Sequence, residues 1–201
     1  MSPAVRKPQS LSVIKVGGGL TRVPGALDQV CSGLSELARE YPLVVVPGGG
    51  PFSDGVRAFE SQSGLSADAA HWMAILGMDQ YAHVLADRIK GAVLVEEPGE
   101  LWEAVTAGHL AVLAPARWMR SADVLPHSWN VTSDSIAAFV AGALGADRLA
   151  LIKPGETDSP VDAYFQTALP LGLPYLILSW NRFEDLSSWL TGQSAPGVHP
   201  G

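Results

Sequence analysis

A three-layer αβα sandwich around an open, mainly parallel sheet is the fold class that this α/β sequence predicts. Three observations point to it. Short apolar runs alternate with longer stretches of helical periodicity along the chain. Most of those runs are apolar throughout rather than alternating, as in strands covered on both faces. Two of them end in glycine-rich turns, "VIKVGGGL" (13–20) and "VVVPGGGP" (44–51).

The elements follow in order. "LSVIKV" (11–16) reads as the first strand and 24–40 as a helix. "PLVVVP" (42–47) is the second strand, followed by helices over 51–60 and 66–90. "GAVLVEE" (91–97), a helix over 99–107 and "HLAVLAP" (109–115) come next. A helix over 133–146 leads into "RLALIK" (148–153). The pattern closes with a helix over 160–171, the strand "PYLILSW" (174–180) and a helix over 182–191. Strands alternating with helices imply right-handed βαβ crossovers. The first ten residues and the tail "TGQSAPGVHPG" (191–201) read as loosely structured. No Pro/Gly/Ser linker divides the chain, so residues 1–201 are expected to form one domain.

At 201 residues, 47% hydrophobic and 16% charged, the chain is long and apolar enough to bury a sizeable core. A formal net charge of -7 argues against a nucleic-acid partner, which calls for a basic surface. One cysteine, Cys31, excludes an intrachain disulfide and a Cys-rich metal site, and it reads as a small buried hydrophobe. "MSPAVRKPQS" has no apolar signal-like core, and "IAAFVAGALGA" (136–146) is too short to span a bilayer. A cytoplasmic protein with no membrane partner is expected.

The two glycine turns carry the chemistry. Glycines after a strand allow close backbone approach and aim N–H groups at one point, an anion-binding nest. A following helix adds the positive end of its dipole. Lys15 adds a full charge beside the first turn, against an acidic background. All of this suits phosphate. Two familiar phosphate motifs fail: neither turn has the Gly-Lys-Ser/Thr of the P-loop, and Arg22 stands where a dinucleotide fingerprint wants its third glycine. The histidines at 71, 83, 109, 127 and 199 show no metal-ligand spacing.

A lysine followed by glycines on the first strand, then Gly-Gly-Gly on the next, resembles the amino acid kinase superfamily. "VTSDSIAAFVAGALGADRL" (131–149) resembles its Thr-x-Asp helix and the strand after it. "LIKPGETD" (151–158) resembles the start of its nucleotide-binding loop, and "PYLILSWNRFEDLSSWLTG" (174–192) its closing strand and helix. The resemblance implies a kinase using ATP, with Mg²⁺ arriving on the nucleotide rather than on a protein site. It implies an acceptor-binding half over about 11–120 and a nucleotide-binding half over about 121–192. A homo-oligomer is expected, as is common in the superfamily. "SADAAHWMAILGMDQYAHVLA" (66–86) and "LPHSWNVTSDSIAA" (125–138) look like the [5-(aminomethyl)furan-3-yl]methyl phosphate kinases of methanofuran and methylofuran biosynthesis, in one-carbon metabolism. That likeness implies a phosphate monoester as acceptor. Uridylate or carboxylate acceptors, and a non-catalytic nucleotide or oxyanion binder, are the alternatives within this fold.

The resemblance assigns roles residue by residue. Lys15 would steady the transferring phosphoryl, with Asp134 orienting the catalytic lysines. Thr132, Ser133 or Asp134 would also serve as a helix N-cap. Lys153 departs from the family pattern, where many relatives carry Thr or Asp, and is a candidate second catalytic lysine. Gly17, Gly18 and Gly19, with Lys153, Pro154, Gly155 and Asp158, would hold ATP and the transferred phosphate. Gly48, Gly49 and Gly50, with Asp54, His71, Asn130 and Thr132, would hold the acceptor, and Arg57 would also face it. Asp79 and Gln80 are candidates for recognising a substrate amine. Trp118, Trp129, Trp180 and Trp189 are candidates for lining a furan pocket, with core packing as the alternative.

Overall fold

The computed structural model describes residues 10–155, 161–193 and 195–199. Its strands are β1 (Ser12–Val16), β2 (Leu43–Pro47), β3 (Ala92–Val95), β4 (Leu110–Leu113), β5 (Arg148–Lys153), β6 (Tyr175–Ser179) and β7 (Val198–His199). Among the described residues these strands form one sheet in the order β3-β4-β2-β1-β5-β6-β7. Every neighbouring pair is parallel except β6 with β7. The helices are α1 (Ala26–Leu37), α2 (Gly50–Ser63), α3 (Ala67–Arg88), α4 (Pro98–Thr106), α5 (Ala116–Ala122), α6 (Ser133–Leu144), α7 (Phe165–Ala168) and α8 (Phe183–Leu190). The expected three-layer α/β sandwich is therefore the architecture observed.

The pleat explains why the central strands read as unbroken apolar runs. Successive side chains alternate between faces, and both faces are covered. Val13, Val44, Val46, Leu149 and Leu151 pack under α4, α5, α6 and α7. Ile14, Val16, Val45, Ala150 and Ile152 pack under α1, α8 and the second half of α3. By the same alternation, Lys15 and Lys153 fall on the α6 face, at the carboxyl ends of β1 and β5.

Those two strands are neighbours, with Lys15 opposite Leu151. The chain builds outward from β1 through β2 toward β3, then returns to β5 on the other side of β1. The gap between β1 and β5 is thus the topological switch point. Ligands of open α/β sheets bind at the carboxyl ends of the strands there.

Three expectations are corrected. Of the helix expected over 160–171, the described residues 161–171 hold only α7, which ends where Leu169 turns extended ahead of Pro170. The tail is not wholly loose: Val198 and His199 add an antiparallel edge strand, and the His199 ring stacks on Tyr175 at 4.7 Å. The apolar run over 109–115 hides the start of a further helix, α5, whose N-cap is Pro115. No helix among the described residues is long and apolar enough to cross a membrane.

Candidate active site

The two glycine turns lie back to back. A methyl group on Gly18 would sit 2.0 Å from the Gly50 nitrogen, and one on Gly48 would sit 2.5 Å from the Gly18 nitrogen. Only glycine allows this approach. Two of the N–H groups are spent in holding the turns: Gly17 donates to the Ile152 carbonyl and Gly48 to that of Val16. That corrects their expected role as phosphate donors. Gly18 and Gly19 open a 3-10 turn (Gly18–Arg22), Gly49 is the N-cap of α2, and Gly50 is its first residue. Helix-opening N–H groups have no intrahelical acceptor, so these four can receive an anion. Arg22 pairs with Asp54 and ties the first turn to α2.

Lys15, Asp134 and Lys153 come together beside these turns, at 5%, 5% and 9% exposure. The Lys15 Nζ lies 2.9 Å from Asp134 Oδ1. The Lys153 Nζ donates to both carboxylate oxygens, at 2.8 and 2.7 Å. Burial by itself would raise the Asp134 pKa, but the two ammonium groups outweigh it and hold the carboxyl below its usual range. Burial first, then the Lys15 charge, pushes Lys153 down to about 8 against the pull of Asp134. Two cations on one anion leave a buried positive excess, the electrostatic setting for a polyanion.

Asp134 is free for this because another residue caps its helix. The Asp162 carboxylate accepts from the Thr132 N–H at 2.9 Å, the Thr132 hydroxyl at 2.8 Å and the Ser135 N–H at 3.0 Å, and the Ser135 hydroxyl bonds to its other oxygen. Thr132 occupies the N-cap position, yet its side chain makes no cap bond. Of Thr132, Ser133 and Asp134, Thr132 is thus the N-cap by position, while the capping bonds come from Asp162. Sequence reasoning missed Asp162, since nothing local links residues so far apart in the chain.

A cavity of about 230 Å³ opens beside the cluster, between α2, α3 and the start of α6. Gly49, Gly50, Asp54, His71 and Thr132 line it, as expected of acceptor residues, and so does Arg57. Gly48 and Asn130 do not line it; Asn130 is exposed, and its carbonyl accepts from the Tyr164 N–H. Pro154 is exposed with its ring against Gly19, Gly155 is half-buried, and Asp158 lies outside the described residues. Of the four tryptophans singled out, Trp129 alone lines the cavity. Trp118 packs near Phe139, while Trp180 and Trp189 belong to the opposite face of the sheet. Asp79 is away from the cavity: its Oδ1 accepts from the Ala116 N–H at 2.9 Å and caps α5, and Gln80 is exposed.

His71 is not alone on its helix. Its ring stacks on His127 at 4.2 Å, and Trp72 packs edge-on against both. The His127 Nδ1 lies 2.7 Å from Asp68 and its Nε2 2.8 Å from Asp123, which raises its pKa. Burial, then the His127 charge, lowers that of His71 to about 4. At neutral pH His71 is an uncharged hydrogen-bonding group on the cavity wall. The role of His127 escaped notice because it depends on Asp68, 59 residues away on α3, and on stacking with His71.

Among the described residues no group of three or more His, Cys, Asp or Glu side chains is arranged to hold a metal ion. The chain is 29% identical over 180 residues to the [5-(aminomethyl)furan-3-yl]methyl phosphate kinase of Methanocaldococcus jannaschii, covering 89% of this chain and 78% of that one. Its fold matches the UMP kinase of Ureaplasma parvum with a TM-score of 0.68 at 13% identity, over 96% of this chain and 100% of that one. The uridylate kinase of Archaeoglobus fulgidus matches with a TM-score of 0.68 at 12% identity, over 94% and 99%. The family profile of the amino acid kinases matches residues 10–154, which include both glycine turns, Lys15, Asp134 and Lys153, and the chain belongs to that family of phosphotransferases.

Proposed function

We propose that this kinase transfers the γ-phosphoryl of ATP to a phosphate monoester, [5-(aminomethyl)furan-3-yl]methyl phosphate, giving the diphosphate used in methylofuran or methanofuran biosynthesis. One observation supports it most: two buried lysines share Asp134 at the switch point, beside paired glycine turns and a cavity sized for a small molecule. The named relative supplies the acceptor class.

In this reading a phosphate oxygen of the acceptor attacks the γ-phosphorus, and the bond to the bridging oxygen breaks as ADP leaves. Such transfer is mostly positioning and charge neutralisation. Gly18 and Gly19 hold the transferring group, while Gly49 and Gly50 hold the acceptor phosphate. Lys15 and Lys153 offset the charge that develops between them, and Asp134 keeps both ammonium groups in place. His71 donates a hydrogen bond to the acceptor without adding charge. Mg²⁺ arrives with ATP and keeps several of its waters. The acceptor half then comprises about 11–120, joined at the cavity by residues 128–136, with the nucleotide on the remainder. Self-association in the cytoplasm is part of the same reading, with the exposed Phe59, Met73 and Leu76 of α2 and α3 as the apolar surface available for it.

The test is ADP release with Mg-ATP and, in turn, the aminomethylfuran phosphate, isopentenyl phosphate, UMP and aspartate. Release with the furan phosphate alone, lost in Lys15→Ala, is the expected result. Release with another acceptor instead would discard this substrate while keeping the transfer chemistry.

A further inference from the structure

The cavity is lined by two carboxylates, and they differ in what holds them. Asp54 is already paired with the Arg22 guanidinium. Glu60 has no cationic partner among the described residues; its Oε2 accepts only from the neutral indole N–H of Trp129, at 2.5 Å. The nearest arginine on its own helix, Arg57, places its guanidinium over the Trp129 ring instead, 4.0 Å from the centroid. Glu60 is half-buried and lines the cavity together with Trp129 and Arg57. A carboxylate in this state has spare lone pairs to offer a ligand in the cavity.

Glu60 also stands at the right end of the cavity. Gly50 opens α2 and Glu60 follows ten residues later, so their backbones are separated by about 15 Å along the helix axis. Helical side chains lean back toward the N-terminus, which shortens the span. The glycine end suits an anion, and the Glu60 end suits a cation. Trp129, held by Glu60 on its N–H and by Arg57 on its face, offers a flat wall beside Glu60. The cavity is therefore polarised for a ligand with a phosphate at one end, a flat ring in the middle and a cation at the other.

Resting on the proposed function, we infer that Glu60 is the specificity-determining residue that binds the ammonium group of the acceptor, with Trp129 as the wall for its ring. This role replaces the one expected for Asp79, whose carboxylate is committed to α5. It makes the acceptor class a primary amine linked through a planar ring to a phosphate monoester.

The experiment compares kcat/KM for two acceptors, the aminomethylfuran phosphate and its analogue with methyl in place of aminomethyl. Both are measured with wild type, Glu60→Gln and Asp54→Asn. Glutamine keeps an oxygen for the Trp129 N–H and removes only the charge. Wild type should favour the amine by about 10–100-fold, the worth of one charge-assisted hydrogen bond. Glu60→Gln should abolish that preference and bring the two acceptors within about twofold of each other, through a larger loss on the amine, since the analogue makes no ionic contact to lose. A preference that survives Glu60→Gln, or that vanishes only in Asp54→Asn, overturns the inference and leaves the proposed function standing. So does an equal loss on both acceptors, which would mean that Glu60 only holds Trp129. No turnover of the aminomethyl compound by wild type overturns both.

Discussion

Lys15 and Lys153, on neighbouring parallel strands, bring their ammonium groups to the single carboxylate of Asp134, at 2.9 and 2.7 Å. Removing the carboxylate charge leaves two buried cations side by side. Breaking a buried ion pair from one side costs about 3–5 kcal/mol. Asp134→Asn should therefore lower the melting temperature by roughly 6–20 °C for a chain of this size. It should also lower kcat at least about 100-fold, as for loss of a preorganised charge. A thermal melt and a steady-state assay read the two effects separately. Wild-type kinetics in this variant would remove Asp134 from the mechanism.

Lys153 titrates near pH 8, chiefly through burial and then through the Lys15 charge. The unfolded chain holds that proton up to the ordinary lysine value of 10.5, so it binds more protons than the folded state between the two values. Stability should accordingly rise with pH across that window. Activity should run the other way, with kcat/KM falling above about pH 8 as the ammonium charge is lost. Lys153→Met should remove that alkaline limb and lower the plateau at neutral pH. An unchanged rate in Lys153→Ala would show that the lysine is not catalytic.

A methyl group at Gly18 has no room, because it would meet the backbone of Gly50 at 2.0 Å. Gly18→Ala should separate the two turns and cost most of the activity, at least about 100-fold, on the scale of a small misplacement at a reacting centre. Gly55, exposed in the interior of α2 with nothing near its Cα hydrogens, is the counterpart. Gly55→Ala should raise stability by about 0.5–1 kcal/mol through helix propensity alone. Equal behaviour of the two variants would contradict the close approach of the turns.

Asp162 caps α6 from a separate segment, with bonds to Thr132 and Ser135. Asp162→Ala should cost up to about 2 kcal/mol, as for other lost helix caps. Because α6 begins at the cavity and carries Asp134, both kcat and the acceptor KM should worsen. A change in stability with unaltered kinetics would restrict Asp162 to a structural role.

His127 links α3 to the loop that carries Trp129, through Asp68 and Asp123. Its pKa is raised, so its stabilising charge is fully present below the ordinary value of 6.5 and lost as pH rises through the folded-state value. His71, held near 4 by burial and the His127 charge, acts oppositely: stability falls as pH drops from 6.5 toward 4. The Arg120 guanidinium lies over the adjoining Trp72 ring at 5.0 Å and adds positive charge nearby. His127→Gln should lower the melting temperature by about 2–4 °C at pH 6, the scale of one modest ion-pair contribution, and by less at pH 9. Proton NMR of His71 in this variant should show its pKa moving up, since a neighbouring cation is gone.

The strands, their parallel pairing and the glycine turns were legible because each depends on local pattern. Unbroken apolar runs mark strands covered on both faces, and glycines after them mark close backbone approach. Lys15, Asp134 and Lys153 were legible as chemical types at informative places. Asp162, His127 and Glu60 were not, since each has a partner 27 to 69 residues distant. Asp79 and Asn130 show the reverse: plausible substrate contacts by position, one committed to capping α5 and the other exposed to solvent.

By itself, then, the sequence determined the layered α/β fold, the phosphate-friendly turns and the family. Tertiary structure decided which N–H groups stay free, that both lysines meet one aspartate, and which carboxylate faces the cavity without a cation. The reason is physical. Periodicity and glycine content act over a few residues, whereas burial, ion pairing and capping depend on strand register and on helices packed from distant parts of the chain.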